Sequence, residues 1–98
     1  MNIVDQNDKG NVFAVSYQDN GQFKVLVFDT KGKELAKINV NDKIGIDQKS
    51  TPISGFFEPL ITLAFLPEEK LYVQVYHRIK RMSYHFSYEY KNNAYSPV

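Results

Sequence analysis

The 98-residue sequence has no cysteine and no tryptophan. Disulfide frameworks, thiolate zinc sites and cysteine-nucleophile chemistry are all excluded together. It also lacks a long hydrophobic run. Its longest apolar stretch, Leu60–Leu66, is interrupted by Thr62, whereas a membrane-spanning helix needs about 20 residues. Residues Met1–Asn11 contain Asp5, Asp8 and several amides, with no basic stretch leading into an apolar one. They do not read as a signal peptide, so the expectation is a soluble, cytoplasmic protein without a membrane partner. Charge of one sign is missing as well, with 12 Lys+Arg against 11 Asp+Glu. No Gly-x-Ser-x-Gly elbow, phosphate-binding loop or dinucleotide fingerprint occurs, which points away from an enzyme and from a cofactor.

What is present is 43 % apolar and 14 % aromatic, too hydrophobic for a disordered chain and enough for one domain without staples. Helical periodicity is nearly absent, and period-two runs of Val, Ile, Phe and Tyr recur between turn signals. Asn20-Gly21 supplies the two positive-φ positions of a type I′ hairpin turn, joining strand Val12–Tyr17 to strand Phe23–Asp29. Lys31-Gly32 reverses the chain again into strand Glu34–Val40. One face of this meander gathers Val12, Ala14, Phe23, Val25, Val27, Ala36, Ile38 and Val40, and the other Phe13, Val15, Tyr17, Leu26, Phe28 and Leu35. A sheet that is apolar on both faces needs cover on both, from the rest of the chain, a second copy or a neighbouring segment.

The second half repeats the plan. Strand Leu60–Leu66 turns at Pro67–Lys70 into strand Leu71–Arg78, which turns through Ile79–Met82 into strand Ser83–Tyr90. Pairing across the last turn is expected to oppose Val75 with Phe86, Val73 with Tyr88 and His77 with Tyr84. One face is then Leu71, Val73, Val75, His77, Ile79, Met82, Tyr84, Phe86, Tyr88 and Tyr90. The other is Tyr72, Gln74, Tyr76, Arg78, Ser83, His85, Ser87 and Glu89. The domain is thus read as meander 11–40, connection 41–59, meander 60–90 and a frayed tail 91–98. Within the connection, Ile44 and Ile46 alternate as a short strand would. Phe56 and Phe57, set between Gly55 and Pro59, are either a binding plug or cover for a core edge.

The two meanders superpose in sequence at an offset of about 48–50 residues, a blade-like period. Val27–Leu35 resembles the hairpin of a β-propeller blade, and Leu71-Tyr72-Val73 followed by His77-Arg78-Ile79 is similar to a strand of NHL-type repeats. That resemblance implies two blades of a propeller. The alternative is a small sandwich or partly open barrel in which the two meanders pack face to face. The latter is the expectation for a chain of this length, because a closed propeller needs four or more blades.

Candidate chemistry is sparse. His77 and His85 have opposite parity on one hairpin, so they do not share a metal or act as a pair. His77 reads as a hydrogen-bonded core residue and His85 as an outward one across from Tyr76. Asp5–Gly10 begins like a calcium loop, but Lys9 stands where an oxygen ligand is required and Ser16 occupies the twelfth position. It is a polar turn, and no metal site is expected. Adjacent Glu68 and Glu69 splay apart rather than forming a catalytic pair.

The near-zero net charge conceals an asymmetry. Residues 1–70 hold eight Lys/Arg and ten Asp/Glu, whereas residues 71–98 hold Arg78, Lys80, Arg81 and Lys91 against Glu89 alone, with six of the seven tyrosines. Tyr and Arg dominate protein interface hot spots. The expected function is therefore a non-catalytic binding or assembly module, with a protein partner or a second copy. Its binding residues are Tyr72, Tyr76, Arg78, Lys80, Arg81 and His85, helped by Phe56 and Phe57. The alternative partner is single-stranded nucleic acid, its bases stacked on the tyrosines and its phosphates met by the basic tip.

Overall fold

The computed structural model describes residues 4–45 and 58–98. Phe56, Phe57 and Ile46 lie outside the described residues. The elements are β1 (Val4–Gln6), β2 (Val12–Asp19), β3 (Gln22–Asp29), β4 (Glu34–Asn39), α1 (Val40–Ile44), β5 (Leu60–Leu66), β6 (Lys70–His77), β7 (Met82–Lys91) and β8 (Ala94–Pro97). They form two antiparallel sheets of four strands, ordered β1-β2-β3-β4 and β5-β6-β7-β8. Each sheet has the up-and-down order of a propeller blade, but the two close on one another as a sandwich. Strand β1 meets β5 along one side, β4 meets β8 along the other, and the inner faces share a single core.

Val12, Ala14, Phe23, Val25, Val27 and Ile38 supply the first sheet's half of that core. Ile61, Leu63, Leu71, Val73, Val75, Tyr88 and Tyr95 supply the second's. The faces are those required by the period of two. Asn20 and Gly21, at φ 50° and 75°, make the expected two-residue turn, and Asp19 pairs with Gln22 across it. Asp29 shapes the next turn, its Oδ1 accepting the N–H groups of Lys31 and Lys33 at 2.9 Å each.

Several elements differ from the sequence expectation. Leu35 faces the core, not the outer side. Val27 pairs with Ala36 and Phe28 with Glu34, so Leu35 is the extra residue of a β-bulge and is turned inward to 6 % exposure. Val40 and Ile44 are buried, but in α1 rather than in strands. Asn39 caps that helix, its Oδ1 accepting the Asp42 N–H, and Gly45 ends it at φ 70°. Asn41 then acts across the fold. Its Oδ1 accepts the Phe23 N–H at 2.8 Å, replacing an acceptor where β4 has run out.

The β6–β7 register is two residues from the expected one. Val73 opposes Phe86, Val75 opposes Tyr84 and His77 opposes Met82. The sequence offers two equivalent four-residue turns without glycine. His77 selects between them, because its Nδ1 accepts the Lys80 N–H at 3.2 Å and starts the loop at Arg78. A slip of two keeps every side chain on its face. The apolar face is nevertheless shorter than expected, since Ile79, Met82 and Tyr90 are exposed.

Both ends of the chain contribute strands. The N-terminal polar stretch contains β1, paired with β2 from Val4↔Val15 to Gln6↔Phe13. The tail is β8, turned at Asn92 and Asn93, both left-handed, and anchored by buried Tyr95.

Candidate interaction surface

Strand parity builds the outer face of the second sheet. With Leu71, Val73, Val75 and His77 turned to the core, Tyr72, Gln74 and Tyr76 face outward and are half-buried. The register places Leu60 beside Tyr76, Thr62 beside Gln74 and Ala64 beside Tyr72 on one flank. Ser83, His85 and Ser87 stand beside Tyr76, Gln74 and Tyr72 on the other. His85 is therefore opposite Gln74 rather than Tyr76, which sets it diagonal to Tyr72. Their rings stack at 5.8 Å and 26°, and the Tyr72 hydroxyl is hydrogen-bonded to His85 Nδ1. This fixes both rings on a rigid support.

The structure thus brings Tyr72, Tyr76 and His85 together. It treats the basic tip differently. Arg78 is half-buried, whereas Lys80 and Arg81 are exposed. The Lys80 ammonium lies over the end of α1, 3.6 Å from where a β-carbon at Gly45 would stand. Arg81 takes a left-handed conformation, φ 56°, that closes the loop. The tip cations therefore border the tyrosine row without interleaving with it.

His77 is buried, and its pKa is lowered first by burial and then by the Lys80 charge. A neutral ring suits its work, because Nδ1 must remain free to accept the Lys80 N–H. At the opposite end of the sandwich, Asn7, Asn11, Asp29, Glu69, Tyr90 and Tyr95 line a cleft of about 180 Å³. Its polar groups have structural tasks. Asn7 Oδ1 accepts the N–H groups of Asn11 and Val12, and Asp29 closes its own turn. Among the described residues, no three His, Asp or Glu side chains cluster as a metal site would require.

Leu60 and Leu66, 51 % and 46 % exposed, were not among the expected binding residues. Parity contained the signal: once Ile61 and Leu63 are assigned to the core, Leu60 and Leu66 must point out. No family model, curated protein or solved structure matches the chain.

Proposed function

We propose that this chain is a non-catalytic binding and assembly module that engages a protein through the outer face of its second sheet. The observation that carries this reading is the row formed by Leu60, Tyr76 and the Tyr72–His85 pair. It combines apolar area with hydroxyl and imidazole groups held on paired strands, so little side-chain freedom is lost on contact. The role of His77 in closing a turn supports the non-catalytic part of the reading. Lys80, drawn over α1, is poorly placed to serve phosphates next to stacked bases, which favours protein over single-stranded nucleic acid.

A photo-reactive phenylalanine analogue at Tyr76 tests the reading in the source cells. Discrete protein adducts at Tyr76, absent when the probe replaces Lys37 on β4 and lost in a Tyr72→Ala background, are expected. Equal labelling from both positions contradicts the reading. So does tight, salt-sensitive binding of a labelled single-stranded oligonucleotide in place of protein adducts.

A further inference from the structure

A sandwich has four edge strands, and three of these carry a device that discourages further pairing. Strand β1 is three residues long and contains Asp5. Strand β4 has Glu34, Lys37 and the bulge at Leu35. Strand β8 is four residues long and ends at Pro97. Strand β5 is the exception: Leu-Ile-Thr-Leu-Ala-Phe-Leu has no charge and no proline, and pairs with β6 in unbroken register from Leu60↔Tyr76 to Leu66↔Lys70.

Which backbone groups are open follows from one bond. The Phe65 N–H donates to Asp5 Oδ2 at 3.0 Å, so Phe65 points its backbone groups away from β6. Alternation gives Ile61 and Leu63 the same direction. Asp5 is an inward-pointing charge from the other sheet that closes the Phe65 position alone. Among the described residues, no other side chain hydrogen-bonds to this edge. Among the described residues it is an open template two rungs long.

The geometry points to a second copy of this chain as the occupant, with β5 pairing antiparallel to β5 about a two-fold axis at Thr62. Only this register uses both open rungs while leaving Asp5 in place. Ile61 exchanges both backbone hydrogen bonds with Leu63 of the copy, and Leu63 with its Ile61. Thr62 then meets itself at a closely spaced, non-hydrogen-bonded position. Because β5 is uncharged, its self-pairing brings no like charges together. On the outer face, exposed Leu60 comes to lie against Ala64 of the copy. Since Leu60 neighbours Tyr76 and Ala64 neighbours Tyr72, the tyrosine rows of the two molecules join across the seam. This association rests on backbone geometry and does not require that the tyrosine face bind another protein.

Residue 62 is the sensitive test, being exposed in the single chain and its own neighbour in the pair. Sedimentation velocity on the full chain across a concentration series should show a monomer–dimer equilibrium. Thr62→Lys and Thr62→Glu should each weaken the dimer by roughly tenfold or more through like-charge repulsion, while an equimolar mixture of the two restores it. Amide exchange at Ile61 and Leu63 should slow as concentration rises, with Phe65 unchanged. Replacing Asp5 by Ala should extend that protection to Phe65. A chain that stays monomeric at millimolar concentration overturns the proposal. So does a dimer indifferent to Thr62→Lys but broken by Phe28→Asp, which would seat the copy on the first sheet.

Discussion

The two sheets have the same strand order but protect themselves in opposite ways. The first guards its edges with Asp5, a bulge, Glu34 and Lys37, and leaves its outer face apolar. Phe13, Val15, Leu26 and Phe28 are half-buried there, with Phe13 and Phe28 stacked at 5.7 Å. The second has a mixed outer face of Tyr, Gln, Ser and His, yet leaves β5 uncharged. An apolar face attracts without direction, whereas an open edge specifies register. A specific partner is therefore better sought at the second sheet.

That contrast can be broken first in the core. Leu71→Ala, at a fully buried position, should cost about 2–5 kcal/mol in chemical denaturation. Leu26→Ala on the first sheet's outer face should cost only about 1 kcal/mol, in line with partial burial. A core-like cost at Leu26 would mean that this face is covered in solution. Next comes Asn41→Ala, which strands the Phe23 N–H at the end of the first sheet and should cost about 1–3 kcal/mol. The second sheet offers the opposite sign. Among the described residues, the buried Tyr88 hydroxyl has no hydrogen-bond partner, and burial raises its pKa. Tyr88→Phe should therefore raise stability by about 1 kcal/mol, measured by the same denaturation.

A similar gain is expected at the β5–β6 turn. Glu68 and Glu69 are both left-handed, at φ 67° and 58°, and Glu69→Gly should relieve about 1 kcal/mol of that strain. The smallest effect is a pH slope. Native His77 has a lowered pKa, so below about pH 6.5 the unfolded chain takes up a proton that the native chain refuses. Stability should fall as pH drops from there through the native value, and His77→Gln should flatten that part of the curve.

Much of this architecture was legible in the sequence because the relevant signals are local. Asn20-Gly21 set the β2–β3 register, and alternation sorted the residues of each sheet into two faces, Leu35 excepted, although for the first sheet, apolar on both, it did not say which face was the inner one. What escaped depends on partners distant in sequence. Strand β1 has no apolar alternation and exists because β2 offers it a ladder, with Asp5 reaching Phe65 sixty residues away. Strand β8 lies in what reads in sequence as a frayed tail; the left-handed Asn92-Asn93 turn returns the chain along β7, and the burial of Tyr95 makes it a strand rather than a loose end. The two-residue register shift at β6–β7 was decided by His77 capping its loop, a side-chain event that residue periodicity does not encode. At the surface, Tyr72, Tyr76 and His85 were legible through parity, but the diversion of Lys80 depended on the unexpected helix α1.

Solvent paramagnetic relaxation on the isotope-labelled chain, compared between dilute and concentrated samples, tests most directly whether the second sheet is the working surface. Concentration should shield Leu60–Ala64 and the adjoining Tyr72 and Tyr76, while Phe13, Val15, Leu26 and Phe28 remain as accessible as in the dilute sample. Shielding of those four residues with β5 unchanged would contradict it.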